Sequence, residues 1–143
     1  MAVFAFGADY EGRDVLNDFI NNKCVGIGWS YKNNTAGHHI IRTIKAGDIV
    51  YIKKCNVGSD ITVRAIGIVT DYEIKKVAKV AEIARNVKWI DTNSFVITNP
   101  KNTDKNNVRS NSVYEEYNLE VIGQIIGRMW VEKNLNSEMK GKK

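Results

Sequence analysis

Val25-Gly26-Ile27-Gly28-Trp29 alternates bulky apolar residues with glycine, and the fold turns on how this stretch is read. Successive side chains of a strand point to opposite faces. Val25, Ile27 and Trp29 therefore share one face, and Gly26 and Gly28 leave the other bare. Glycine inside a strand loses entropy and packs nothing, so it marks a bulge or a close approach of backbone or ligand. Trp29 stands where the strand ends. Two readings are open for it: core filling, or a platform on which a flat ring stacks.

Upstream, Val3 to Gly7 reads as a first strand with Phe4 and Phe6 on one face, followed by a turn from Asp9 to Gly12. Arg13 to Asn21 then reads as a short helix, because Val15, Leu16, Phe19 and Ile20 fall at helical spacing. Downstream, Ser30 to Thr35 is a polar surface loop, and Thr35 is placed to cap a helix running to about Ile44. Ile40, Ile41 and Ile44 form its apolar stripe, and Gly47 suits a left-handed stop.

Ile49 to Ile52 is an unbroken apolar run of strand length, expected to be covered on both faces. Lys53 and Lys54 mark its exit to solvent. Asn56 to Asp60 is a turn. Ile61 to Tyr72 is the longest β-branched segment, and Gly67 in its middle predicts a bend or bulge. Ile74 to Ala84 is ambiguous between helix and strand, and Asn86 to Ile90 reads as another strand. Asp91 to Ser112 is polar, rich in asparagine and holds the single proline, Pro100, so a long loop is expected. Leu119, Ile122, Ile126 and Met129/Trp130 fit a helix within Tyr114 to Glu132. These elements predict an α+β domain over residues 1–133, a small mixed β-barrel with short helices at its ends, and a flexible basic tail over 134–143.

The 143 residues are enough for one domain with a core of its own, and no apolar run reaches the length of a membrane span. A signal peptide is not expected, and Cys24 and Cys55 are expected to be free thiols in a reducing cytoplasm. The net charge is +5, and the excess lies in residues 75–109, which hold 8 basic against 3 acidic side chains. Such a segment suits a polyanion or a solvated lysine-rich surface.

Residue spacing argues against several chemistries. No zinc or phosphate-loop spacing occurs. His38 and His39 are adjacent, and neighbouring helical positions point about 100° apart, so they do not share a metal. Asp14 and Asp18 are spaced as a solvated helical face. A binding module with no cofactor and no metal is expected in preference to an enzyme.

Three blocks in order, the glycine-tryptophan strand at 25–29, Ile44-Lys45-Ala46-Gly47-Asp48-Ile49-Val50, and Ala84-Arg85-Asn86-Val87-Lys88-Trp89, carry a family resemblance. Residues 3–90 resemble the EVE-type branch of the PUA-like superfamily, and within it the N-terminal recognition modules of Mrr- and McrB-type restriction proteins. That resemblance implies a pseudo-barrel holding one flipped, modified base in an aromatic pocket, as related YTH and EVE modules do. It implies Trp29, Trp89 and Tyr10 as rings, Asp9 as an acceptor for a base edge, and Ser30 and Tyr31 at the rim. It implies Lys53, Lys88 and Arg85 as phosphate contacts. Those restriction relatives join the module to a nuclease or an AAA+ motor, for which this sequence holds no motif. The expectation is a stand-alone reader of modified DNA acting in defence, counter-defence or a related process, with a protein partner supplying any effector activity. An RNA-binding module and a protein-interaction or inhibitor domain are the alternatives.

Overall fold

The structure, a computed structural model, describes residues 1–55, 60–98, 100 and 112–141, with side chains omitted for residue 55 and residues 132–141. Residues 56–59 of the turn expected at 56–60, and residues 99 and 101–111 of the loop expected at 91–112, lie outside the described residues.

Strand β1 (Val3–Phe6) runs parallel to β5 (Ile49–Cys55), and the intervening chain supplies the crossover. That chain contains β2 (Asp9–Tyr10), β3 (Arg13–Asp14), α1 (Leu16–Asn21), β4 (Cys24–Ile27) and α2 (Thr35–Thr43). It continues into β6 (Ile61–Val69), β7 (Lys75–Val77), β8 (Ala81–Asp91), β9 (Phe95–Ile97), β10 (Val113–Glu115) and α3 (Leu119–Gly141). The main sheet has the order β10-β1-β5-β6-β8-β4, with β7 on β8 and β9 on β6. It is a mixed α+β architecture whose six-strand path curls into a half-barrel.

The curl has a local cause. Between β6 and β8 the register shifts at Ile66/Gly67, and between β5 and β6 at Ile52/Lys53. Each shift bends its strand and tightens the twist. A methyl group at Gly67 would lie 2.4 Å from Val87 Cγ1 and 3.0 Å from Trp89 Cε3, so the bend needs glycine there. Alternation then divides the apolar residues between two cores. Phe4, Phe6, Val50 and Ile52 point into the curl with Val25, Ile27, Phe19 and Ile41. Val3, Ala5, Ile49 and Tyr51 point outward and are covered by Val121 and Ile125 of α3 and by Ile97 of β9. This two-sided cover is why Val3–Phe6 and Ile49–Ile52 read as solid apolar runs.

Several boundaries differ from the sequence reading. The first helix starts at Leu16, because Arg13 and Asp14 pair with Tyr10 and Asp9 instead. Glu11 and Gly12 both have positive φ (51° and 92°), the conformation of a tight two-residue hairpin turn. Asn34, not Thr35, caps α2 by accepting the Gly37 N–H at 2.9 Å. The longest strand is β8, with 11 residues against 9 in β6, and the ambiguous stretch Ile74 to Ala84 divides between β7, a turn and the start of β8. The short strand β9 lies within the stretch expected to be a loop, and β10 overlaps the start of the stretch Tyr114 to Glu132 in which a helix is expected. The expected helical stripe of α3 is rotated: Val121 and Ile125 are buried, whereas Leu119, Ile126 and Trp130 are exposed. The α3 backbone stays helical through Gly141, across the position where the sequence reading ended the domain. No helix among the described residues is long and apolar enough to cross a membrane.

Candidate functional site

A cavity of about 690 Å³ opens at one rim of the half-barrel. It lies where β1, β4 and β5 end. Its walls are the β1–β2 junction and the hairpin, Gly28 and Trp29 after β4, Lys53 and Lys54 of β5, Arg64 of β6, and Ser112. Its size falls within the roughly 300–1,000 Å³ of small-molecule clefts.

Trp29 is 44% exposed and lines this cavity. Its indole N–H donates to Ser112 Oγ at 2.9 Å, across 83 residues of chain. Ser112 also accepts the Gly7 N–H through its carbonyl at 3.0 Å, so one residue ties the end of β1 to the indole. On the other side the Trp29 carbonyl meets His38 Nε2 at 2.7 Å. The indole is held by its N–H and the backbone by its carbonyl, while much of the side-chain surface stays open.

Tyr10 forms the adjoining wall. Its ring packs edge-on against Phe19, with centroids 6.4 Å apart, and lies against Gly28. Its hydroxyl is buried with no partner among the described residues, and burial pushes the phenol well above its ordinary ionisation range. Asp9 lines the cavity, but Oδ1 accepts the Gly12 N–H at 2.8 Å and stabilises the turn. Ser30 and Tyr31 lie outside the lining. The Ser30 carbonyl accepts from Asn33 and Asn34, and Tyr31 Oη pairs with His39 Nε2 at 3.1 Å.

The second expected ring is not at this site. Trp89 lies opposite Gly67 on β8, beneath α1, and its indole N–H donates to the Phe19 carbonyl at 3.2 Å. It shares its face with Val87 and packs against the inner core. Trp29 and Trp89 therefore do not converge on one hollow. The aromatic pair at the cavity is Trp29 with Tyr10.

The cations are also redistributed. Arg85 is 1% exposed and donates to the carbonyls of Ile41, Ile44 and Asp71. It closes the C-terminal end of α2 from inside, so its guanidinium is spent on backbone carbonyls and not presented at the surface as a phosphate contact is. Lys88 is exposed on β8, away from the cavity lining. Lys53 does reach the cavity but does not run out to solvent. It is 4% exposed, and Nζ donates to Tyr114 Oη at 2.5 Å. Beyond it Tyr51 Oη donates to Glu116 Oε1, and burial, with Tyr114 and Glu116 beside it, raises the Tyr51 phenol.

Sequence reasoning missed Lys54, Arg64, Asp14 and Ser112 as neighbours of the cavity. Arg64 carried a faint signal, a polar position alternating with Val63 and Ala65, which indicates an open face of β6 but not what lies over it. Asp14 was expected on a helix beside Asp18. It lies on β3 and binds Arg64 with both oxygens, at 3.1 and 2.6 Å. Among the described residues no cluster of three or more His, Cys, Asp or Glu side chains could hold a metal ion.

A family model described as "Domain of unknown function (DUF8426)" matches residues 30–116. The match takes in β9 and β10, which the sequence-level resemblance did not reach, and starts one residue after Trp29. No curated protein matches the chain.

Proposed function

The chain belongs to the DUF8426 family, a domain of unknown function, and we propose from its cavity that it is a nucleic-acid reader. It takes one unstacked base, modified DNA being favoured, into the cavity at the rim of the half-barrel. The observation that carries this reading is the pairing of an exposed, anchored indole with cations on a single cavity. Trp29 offers a ring for stacking, and Lys54 and Arg64 stand on the same lining. Stacking on an aromatic side chain contributes roughly 1–3 kcal/mol per base, and cations hold the phosphates on either side. Nothing in this reading calls for catalysis or a cofactor, and it places the protein in the cytoplasm with nucleic acid. The EVE-like and PUA-like kinship belongs to the same proposal, supported by the curled sheet and by the order of the three sequence blocks.

Titration with methylated, hydroxymethylated and unmodified oligonucleotides, as DNA and as RNA, tests it. We expect DNA binding with a preference for a modified base, and loss of that preference in Trp29→Ala. Lys54→Ala should weaken all sequences and lower the salt slope by about 1, whereas Lys88→Ala should leave both unchanged. Preference for RNA would reassign the ligand. No binding to any probe at low salt would remove the reading and leave a protein-interaction role.

A further inference from the structure

The hairpin β2–β3 forms a two-stranded sheet of its own, separate from the main sheet. Its Asp14 reaches β6, 50 residues away, and grips Arg64 through two parallel hydrogen bonds. A guanidinium fork fits a carboxylate and a phosphate with the same geometry. Both partners are accessible, with Asp14 at 57% and Arg64 at 22% side-chain exposure, and both lie on the cavity. The hydrogen bond from Arg64 holds the Asp14 carboxyl below its ordinary range, and Lys54 adds to the shift through its charge. A second cation therefore stands close to the same carboxylate.

We propose that Asp14 is an internal stand-in for a phosphate, and that a phosphate group entering the cavity takes its place on Arg64. The inference deepens the nucleic-acid reading and rests on it only for the source of the phosphate. Three features favour exchange. Water reaches the pair and screens it, and a phosphate that takes the place of Asp14 restores both hydrogen bonds to Arg64, so the exchange costs little. A phosphate offers more acceptor oxygens than a carboxylate and at least as much negative charge, and Lys54 is at hand as its second partner. Asp14 also has somewhere to go: Oδ1 already accepts the N–H of Leu16, the first residue of α1, at 3.0 Å. Released from Arg64, it keeps that bond and the helix keeps its start. Asp14 and Arg64 together would then set selectivity for ligands carrying phosphate over the bare nucleoside.

The test compares deoxyadenosine, its 5′-monophosphate and inorganic phosphate by calorimetry on the full chain. The wild type should prefer the monophosphate to the nucleoside. Asp14→Asn keeps an acceptor for Leu16 but loses the competing charge, and it should bind the monophosphate and inorganic phosphate about 3- to 10-fold more tightly. Arg64→Gln should abolish the phosphate preference, and Arg64→Lys should restore only part of it. An unchanged or weakened affinity in Asp14→Asn, or a full phosphate preference in Arg64→Gln, would overturn the exchange. Should the hairpin loosen in Asp14→Asn, the two Arg64 variants still decide. The two proposals fail separately. Phosphate exchange without binding of any oligonucleotide keeps this inference and removes the reader. Oligonucleotide binding that ignores both residues does the reverse.

Discussion

Gly28 lies directly against the Tyr10 ring: a methyl group at its α-carbon would sit 3.0 Å from Tyr10 Cε2. The contact joins the end of β4 to the hairpin that walls the cavity. It also explains why glycine recurs in the stretch 25–29. Gly26 serves a different contact, since a methyl there would lie 2.1 Å from the Ile83 carbonyl oxygen on the neighbouring strand.

The two glycines should respond unequally to alanine. At Gly26 the obstacle is backbone within a ladder, and Gly26→Ala should cost about 3 kcal/mol or more. At Gly28 the obstacle is a ring that can tilt, and Gly28→Ala should cost about 1 kcal/mol while displacing Tyr10 and weakening ligand binding. Denaturant melts of both variants measure this. Equal costs would contradict the difference in packing.

The two tryptophans should separate stability from binding. Trp89 packs against the inner core with its N–H on Phe19, so Trp89→Ala should lose about 3 kcal/mol of stability. Trp29→Ala should lose well under half of that, since much of the side chain is exposed, and should show its effect in ligand titrations. A Trp29 variant that unfolds as readily as the Trp89 variant would assign Trp29 to the core.

Arg85 should behave as a structural residue. Its charge is buried among carbonyls, and burial holds the guanidinium below its ordinary range, against the pull of Asp71 and Asp48. Hydrogen bonds to a charged group contribute roughly 1.5–3 kcal/mol, and the orphaned carbonyls add their own penalty. Arg85→Lys, which keeps the charge but loses the fork, should therefore lose about 2 kcal/mol or more. A fully stable Arg85→Lys variant with weakened nucleic-acid binding would return Arg85 to the phosphate-binding set.

Tyr10 makes stability depend on alkaline pH. Desolvation raises its folded ionisation above the unfolded value of about 10. The folded state therefore holds a proton that the unfolded chain releases. The contribution is complete below about pH 10 and is lost as pH climbs through the raised folded value. Tyr51 adds to the same trend. Tyr10→Phe should flatten part of that decline, and at neutral pH it should be neutral or gain up to about 1 kcal/mol by removing a buried hydroxyl that has no partner among the described residues. Melting curves between pH 7 and about 11 would show it. An unchanged alkaline slope would place Tyr10 in water.

By itself the sequence determined the central strands β1, β4, β5 and β6 and what glycine does among them. Alternation at 25–29, solid apolar runs at Val3–Phe6 and Ile49–Ile52, and Gly67 within a β-branched segment all report local geometry, which a few neighbouring residues dictate. Only the tertiary structure decided which side chains meet. Trp29 is anchored by Ser112, Arg64 by Asp14, and Trp89 by Phe19, over separations of 83, 50 and 70 residues. Polarity along the chain says that Lys53 and Arg85 need water or partners. It does not say which, and here the fold supplied a tyrosine hydroxyl and three backbone carbonyls in the interior.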